Sequence, residues 1–493
     1  MTQTSADRRY AWRVLSVTGI GVLLSGANTS TLDVALPTVA RHFNATATEA
    51  SWMLLSYMLV NTGLIVAFGR LADIVGRRRL YLVGLAVFTV AGLACGFATN
   101  AVELDVMRGV QAVGAASIVT NTTALLTDAF PPEILTLGLG LNVTIVSAAQ
   151  VIGPLLGGLL ATTLGWRAVF WFNVPTGAFG LVWAMISLRR SPRSDEPREP
   201  FDLVGAALSF VVLGTLVLVL SEGGALGWTS TPVIAGTVAF AVTAPVFLIV
   251  QARRRYPLVD LRMFADRERS MAYLAAFLLS LARFAVVLLI SLYLQAADGV
   301  DPFQAGLRVV PVAIGMMLAS PIAGGLAHRY SARLLSTGGL ALTGIGLVGL
   351  AALLRPHLSY VTMALALLVI GAGSGLFLTP NTSSIMASIP ARRRGIANGI
   401  RSMMQNSGYV VSVALSLAII TSPLATSAKK AAYAGTLSSL PTRALDAFTT
   451  GCRVALLVLG VMTVAGMVAS LRRNPPPAGR GGTSPQAMSA TAD

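Results

Sequence analysis

Long apolar stretches, separated by short polar and charged segments, dominate the pattern along this chain. A helix needs about 20 apolar residues to cross the ~30 Å hydrocarbon core of a bilayer. The first stretch is too long for the apolar region of a signal peptide and is interpreted as a span. The pattern predicts an all-α integral membrane protein with 14 transmembrane helices. These lie near residues 14–40, 50–70, 80–98, 103–129, 136–163, 167–188, 202–221, 232–252, 270–295, 303–328, 333–354, 358–388, 395–421 and 447–471.

Composition supports this class and excludes several others. Of the 493 residues, 55% are hydrophobic and only 11% are charged, whereas a soluble domain has about 25% charged residues. A soluble, disordered or nucleic-acid-binding protein is thereby excluded. The sequence has no phosphate-binding glycine-rich loop with a lysine and no cluster at metal-ligand spacing, so no enzyme, ATP-driven pump or metal site is predicted. Cys95 and Cys452 each stand inside an apolar stretch and are interpreted as small buried side chains.

The positive charges predict the topology. The net charge is +16, and 25 of the 36 Lys and Arg residues fall on one side when the N-terminus, every second loop and the C-terminal tail are placed together. The opposite loops hold 6 and the spans 5. Because positive residues concentrate on the cytoplasmic side of membrane proteins, both termini are predicted to be cytoplasmic.

An internal repeat relates the two ends of the chain. Gly69–Asp73 recurs as Gly324–His328, and Gln150–Gly153 aligns with Gln405–Gly408, both at an offset of 255 residues. Duplicated halves are common in transporters, so we predict six spans, two inserted spans and six more. The predicted domains are an N-terminal half at 1–190, a linker and two inserted helices at 191–256, a C-terminal half at 257–472 and a disordered cytoplasmic tail at 473–493.

The loop after the second span carries Gly69, Asp73, Gly76 and Arg77 in the order Gly-Arg-Leu-Ala-Asp-Ile-Val-Gly-Arg. Glycines allow a tight turn, and an acidic residue there can bind an arginine or a helix N-terminus. The loop resembles the signature loop of the major facilitator superfamily. This resemblance implies the fold of that superfamily and a gating role, in which the loop latches the two halves in the outward-facing state. The second copy has His328 in place of Asp73, so only the first is expected to be a full charge latch.

Two charged residues are predicted to lie inside the membrane, Arg108 in the fourth span and Asp33 in the first. An arginine there costs about 2.5–3.5 kcal/mol even on lenient insertion scales and needs a partner. Counted from the outer ends of their spans at ~1.5 Å per residue, both residues lie about 10 Å deep. Asp33 is therefore the predicted partner of Arg108. Asp105, one turn from Arg108, is a competing partner nearer the surface.

Asp33 stands in the segment Leu-Asp-Val-Ala-Leu-Pro, which resembles the first-span element of drug:proton antiporters. Burial favours the protonated form of a carboxyl group, whereas a nearby arginine favours the carboxylate. Movement of Arg108 away from Asp33 would load or release a proton, so the pair is the predicted proton-coupling device. A static structural ion pair is the alternative.

Gly153, Pro154, Gly157 and Gly158 stand together in the fifth span. Proline bends a helix, while glycine lets a neighbouring helix approach closely. The segment resembles the antiporter motif of proton-driven exporters, and this resemblance implies export. A structural kink without directional meaning is the alternative. The second half has Tyr409 at the position of the proline.

Further polar residues within the spans are predicted to line a central cavity: Asn28, Asn121, Asn142, Gln150, Arg283 and Gln405. Each amide could instead join two helices, as polar side chains in membranes commonly do. Arg283 is deep in its span and has no evident acidic partner in its half. Glu222 is expected at the outer surface, with a buried proton site as the alternative.

The segment Gly165–Pro175 resembles the span-six entry element of the fourteen-span drug:proton antiporters, and this resemblance implies a function. We expect a proton-coupled efflux transporter that exports amphipathic drugs or toxic small molecules by alternating access. It is expected to act as a monomer, to need no cofactor besides the coupling protons, and to lie in the inner (plasma) membrane of a bacterium. A dedicated exporter of one endogenous metabolite, antibiotic or lipid is an alternative. A non-transporting membrane sensor is a less favoured one.

Overall fold

The computed structural model describes residues 5–189, 202–255, 257–259, 261–327, 329–387, 394–439 and 442–473. Every regular element within these ranges is helical. Residues 190–201, which hold the predicted linker, and 474–493, which hold the predicted tail, lie outside the description. His328 lies outside it as well.

The first part of the chain forms seven helices, whose ends follow local sequence signals. Thr46 and Glu49 form a capping box at the start of the second helix, because each side chain accepts a hydrogen bond from the other's backbone N–H. Gly76 takes a φ of 99° between the second and third helices, a left-handed value that favours glycine. The helices are α1 (Ser5–Phe43), α2 (Ala47–Val75), α3 (Arg77–Cys95), α4 (Ala101–Ala129), α5 (Pro132–Thr163), α6 (Ala168–Trp171) and α7 (Asn173–Ser187).

Two inserted helices follow, α8 (Leu203–Leu226) and α9 (Thr231–Arg253). The buried carboxylate of Asp202 caps α8 through the backbone N–H of Gly205. The same carboxylate accepts a hydrogen bond from Gln251 of α9 and pairs with Arg254 at 3.1 Å. Because one side chain holds the start of α8 and the end of α9, the two helices form a fixed antiparallel pair.

The remaining helices make up the second half. They are α10 (Arg267–Arg283), α11 (Ala285–Ala296), α12 (Pro302–Leu326), α13 (Ala332–Leu353), α14 (Tyr360–Ala387), α15 (Arg394–Thr421), the short α16 (Thr426–Tyr433) and α17 (Thr442–Leu471). In the first half α1 packs against α5, and 255 residues later α10 packs against α15. The packing therefore follows the repeat in the sequence.

Twelve helical segments of the described chain are long and apolar enough to cross a membrane. Two of these segments each join a pair of short helices, α6 with α7 and α10 with α11. Helices α2 and α4 are not among the twelve, although each has 29 residues and they pack against each other within the bundle. The structure is thus an all-helical membrane fold, and the count of fourteen spans stays a prediction.

The break between α10 and α11 has an identifiable cause in α15. The hydroxyl of Ser412 donates to the carbonyl oxygen of Leu281 at 2.5 Å and accepts from the backbone N–H of Ala285 at 3.1 Å. These two backbone groups, four residues apart, would bond to each other in an unbroken helix. A side chain that is inserted between such backbone hydrogen-bonding groups bends a helix. The break therefore falls directly beside Arg283.

The two halves meet at the end of the bundle where α1 ends and α2 begins, here called the far end. A Cβ on Gly158 of α5 would overlap the carbonyl oxygen of Pro302 at the start of α12. Nearby, Gln295 of α11 donates a hydrogen bond to the carbonyl oxygen of Val34 in α1 at 2.9 Å. The backbones of the two halves are therefore in direct contact at the far end.

Candidate functional site

Asp33 is buried in α1 at the interface between the halves, with 4% of its surface exposed. Its Oδ2 accepts a hydrogen bond of 3.5 Å from the hydroxyl of Tyr409 in α15. Its Oδ1 is buried and has no hydrogen-bond partner within the described residues. A carboxylate from one half thus takes its hydrogen bond from a hydroxyl of the other half.

Arg108 is almost completely buried, but it does not form the predicted ion pair with Asp33. Its Nε donates to the carbonyl oxygen of Met53 at 3.3 Å and its Nη1 donates to Oε1 of Gln111 at 3.1 Å. No ion pair with Asp33 or with the competing Asp105 is found among the described residues. Neutral acceptors on α2 and α4 therefore take these two hydrogen bonds of Arg108, which acts on Asp33 as a nearby charge.

The guanidinium of Arg108 also lies over the ring of Tyr57, with 4.4 Å between Cζ and the ring centroid. Such a cation–π contact compensates part of the cost of a buried charge. A polar network continues from here, because Gln111 also accepts from Asn28 at 3.3 Å and Asn28 accepts from Asn173 at 2.9 Å. Gln111 was not predicted as a site residue, although it lies one helical turn after Arg108.

Arg283 is buried in α10 of the second half, with 7% of its surface exposed. Its Nη1 donates to Oε1 of Gln150 in α5 at 3.1 Å, so a residue of the first half is its partner. Its Cζ lies 4.0 Å from the centroid of the Phe284 ring. Phe284 in turn stacks on Tyr409, with ring centroids 4.2 Å apart and an angle of 20° between the planes. The chain of contacts from Gln150 through Arg283, Phe284 and Tyr409 therefore ends at Asp33.

Three other residues predicted to line the cavity make different contacts. Asn121 donates to the carbonyl oxygen of Ser117 in its own helix at 2.8 Å, and Gln405 accepts from Arg401 in α15 at 2.7 Å. The buried Oδ1 of Asn142 has no hydrogen-bond partner among the described residues. These contacts do not join the three residues to the chain that ends at Asp33.

The glycines and proline predicted as an antiporter motif lie on α5 between α1 and α12. A Cβ on Gly153 or Gly157 would overlap atoms of α1, and one on Gly158 would overlap α12. The carbonyl oxygen of Pro154 in turn lies where a Cβ of Gly306 in α12 would be. Small residues let helix backbones approach closely in membranes. The motif therefore forms the contact through which α5 joins the first half to the second.

In the signature loop, Gly76 makes the turn and Arg77 pairs with Asp128 at the end of α4, with 2.5 Å between Nη1 and Oδ1. Gly69 lies in α2 against Thr120 of α4. The side chain of Asp73 lies outside the description. The pair formed by Arg77 joins elements of the first half.

A bundle of long apolar helices, with charged side chains buried where its first and second parts meet, is typical of a membrane transport protein. The chain belongs to the Major Facilitator Superfamily, whose sequence profile matches residues 18–265 and 272–490. The predicted superfamily and the absence of enzymatic activity are thereby confirmed.

Curated relatives of this chain include resistance and transport proteins of bacteria. It is 33% identical to the multidrug resistance protein Stp of Mycobacterium tuberculosis over 81% of this chain and 74% of that protein. It is 29% identical to the riboflavin transporter RibZ of Clostridioides difficile, covering 82% and 87% of the two chains. It is 28% identical to a methylenomycin A resistance protein of Bacillus subtilis, covering 83% and 87%.

Solved structures show the same fold. The crystal structure of a bacterial homologue of the human lysosomal transporter Spinster, in an inward-facing and unoccupied conformation, matches with a TM-score of 0.67 and 16% identity. The match covers 95% of this chain and 99% of the other.

Proposed function

We propose that this protein is a proton-coupled antiporter that exports amphipathic drugs or toxic small molecules. The observation that carries the proposal is the buried carboxylate of Asp33, which accepts a hydrogen bond from Tyr409 of the opposite half. A single proton on this carboxyl group changes both the local charge and the interaction between the halves. Carboxylates inside membrane proteins form proton relays, and the coupling-ion sites of transporters lie where the repeats meet.

The proposed mechanism begins from the state with the far end closed. Ionised Asp33 accepts a charge-assisted hydrogen bond from Tyr409, which favours contact between α1 and α15. Protonation removes the negative charge, weakens this bond and changes how strongly Asp33 interacts with Arg108. The substrate leaves when the halves rock and open the outer side, where Asp33 takes up a proton from outside. After the halves return, the proton leaves Asp33 to the cytoplasm. The coupling ion is the proton, and no cofactor takes part.

The topology belongs to the same proposal. We infer fourteen spans, with α2 and α4 added to the twelve, and both termini in the cytoplasm of a bacterium. The far end then faces outside, and the described conformation has its outer side closed. Within the described chain the helices of one copy enclose the site, which supports action as a monomer.

Export rather than import is supported by the antiporter motif on α5 and by relatives whose names refer to drug resistance. A dedicated exporter of one compound is the second candidate, because one relative is named for a single antibiotic and another for riboflavin. Efflux measured against a panel of chemically diverse compounds separates the two. A non-transporting sensor would show no substrate-induced proton flux in proteoliposomes.

The experiment that tests the proposal measures drug efflux in everted membrane vesicles with and without an uncoupler. We expect uncoupler-sensitive transport in the wild type and loss of that component in Asp33→Asn. Asp446→Asn is the matched control, because Asp446 is an exposed aspartate in α17. Full proton-dependent transport by Asp33→Asn would overturn the role of Asp33. In everted vesicles an exporter moves substrate into the lumen, so movement of substrate out of the lumen would overturn export.

A further inference from the structure

The guanidinium of Arg283 is buried among neutral groups. Its Nη1 contacts Oε1 of Gln150 at 3.1 Å and the sulfur of Met316 at 3.4 Å, and its Cζ lies 4.0 Å from the ring centroid of Phe284. The Nε and Nη2 groups have no hydrogen-bond partner in the part of the chain that the structure describes. A buried cation without an acidic partner is costly, so such residues in membranes mark sites where a ligand supplies the missing charge.

The repeat shows that the fold does not need this charge. Asn28 stands 255 residues before Arg283 and occupies the equivalent position in the first half. It is neutral, donates to Gln111 and accepts from Asn173. The equivalent position can therefore be filled by a neutral side chain whose partners all belong to the same half.

Arg283 keeps its positive charge, because guanidinium groups stay protonated, and it forms no ion pair with an acidic residue of the described chain. Beside this group a cationic substrate would meet repulsion, while an anionic one would meet attraction. The stacked rings of Phe284 and Tyr409 beside Arg283 add a flat apolar surface on which an aromatic ring can pack.

We propose that Arg283 binds an acidic or enolate oxygen of a planar aromatic substrate whose rings pack against Phe284 and Tyr409. The two N–H groups without a partner, on Nε and Nη2, form a fork that suits a carboxylate or a pair of oxygens on a conjugated ring system. The inference rests on the proposed export function and narrows its substrates to anionic aromatic compounds.

The test compares two probes with the same three-ring core and opposite charge, the methyl ester anion of fluorescein and the methyl ester cation of rhodamine. Binding to the full-length protein in lipid nanodiscs is measured by fluorescence anisotropy at mildly alkaline pH. We expect the wild type to prefer the anion. Arg283→Gln is expected to weaken binding of the anion by at least about tenfold, as loss of a charge-assisted hydrogen bond predicts, and to leave binding of the cation equal or stronger.

Arg283→Lys retains the charge and should retain the preference for the anion, with weaker binding because lysine lacks the fork. Arg472→Gln is the control, because Arg472 is an exposed arginine at the end of α17. The inference is overturned if the wild type prefers the cation, or if folded Arg283→Gln keeps the ratio of the two affinities. If Arg283→Gln does not fold, the preference of the wild type for one of the two probes still tests the inference. The binding assay uses no proton gradient. A negative result in it therefore concerns the substrate class, whereas a negative result for Asp33→Asn in the vesicle assay concerns proton coupling.

Discussion

The hydroxyl of Tyr409 in the second half lies 3.5 Å from Oδ2 of Asp33 in the first half and donates a hydrogen bond to it. The bond is long for an O–H donor, so a small displacement of α15 from α1 breaks it. Tyr409 occupies the position that corresponds to Pro154 in the repeat. One half therefore has a helix-bending proline and the other has a hydroxyl donor at the same place.

Removal of this hydroxyl should uncouple the halves without changing the ring stack. In Tyr409→Phe the ring still packs on Phe284, while Asp33 loses its one described donor. We expect about a tenfold loss of proton flux per transported substrate, since a hydrogen bond to a charged group is worth about 1.5–3 kcal/mol and a bond as long as this one lies at the low end of that range. Parallel measurement of proton and substrate flux in proteoliposomes checks this. Tyr360→Phe, at an exposed tyrosine, is the control, and unchanged stoichiometry and rate in Tyr409→Phe would contradict the prediction.

Contact between the halves at the far end should depend on Gly158. In Gly158→Ala the new methyl group overlaps the carbonyl oxygen of Pro302, so α5 and α12 must separate. We expect the closed contact to be weakened by about 1–3 kcal/mol, the usual cost of overpacking. A thiol-reactive label on a cysteine introduced near the far end should therefore react faster. Gly325→Ala is the matched control, because nothing lies within 4 Å of a Cβ at that position of α12; equal labelling of the two variants would rule the prediction out.

The hydroxyl of Ser412 should determine the position of Arg283. In Ser412→Ala the carbonyl oxygen of Leu281 and the N–H of Ala285 can bond to each other, which straightens the chain between α10 and α11. We expect a change of about 1 kcal/mol in stability and a clear loss of affinity for the fluorescein ester. Thermal unfolding and anisotropy measure the two effects. Ser416→Ala one turn further along α15 is the control, because the buried Ser416 hydroxyl has no partner among the described residues.

Features of this protein that depend on residues close together in the sequence could be predicted, whereas the partners of individual side chains could not. Apolar runs and motifs predict the superfamily and the helical membrane fold, since span length and local spacing determine both. Depth counting places Asp33 and Arg108 inside the bundle, and both are buried there. It does not predict that Gln111, on the same helix as Arg108, and the carbonyl oxygen of Met53 take its hydrogen bonds. Choice among nearby acceptors depends on side-chain directions, which spacing alone does not give.

Contacts between the halves are harder to predict. Arg283 has no acidic partner within its own half in the sequence, and its partner in the structure is Gln150, 133 residues earlier in the chain. The role of Tyr409 could have been noticed from its replacement of Pro154 in the repeat, but its contact with Asp33 depends on how α15 packs against α1. Tertiary contacts of this kind leave no signal in local periodicity.

Glu222 provides a test of how the inserted helices attach to the bundle. The sequence places it at the outer surface, yet only 7% of it is exposed. Its Oε2 accepts from the hydroxyl of Thr48 at 3.0 Å and its Oε1 accepts from Nε1 of Trp52 at 3.0 Å, so it joins α8 to α2 at the far end. A buried carboxylate with two donors stabilises this contact, and removal of the side chain leaves both donors without an acceptor.

We therefore expect Glu222→Ala to lower the free energy of unfolding by about 2–3 kcal/mol, because it removes two hydrogen bonds from half-buried donors to a carboxylate. Glu222→Gln keeps one carbonyl acceptor and should cost about half as much. Proton-dependent efflux should persist in both variants, since Glu222 lies apart from the chain of contacts that ends at Asp33. A double-mutant cycle with Thr48→Val, measured by thermal unfolding in nanodiscs, isolates the Thr48–Glu222 bond and should give a coupling of about 0.5–3 kcal/mol. Additive effects of the two substitutions would contradict the attachment, and loss of proton coupling in Glu222→Gln would instead make Glu222 a second proton site.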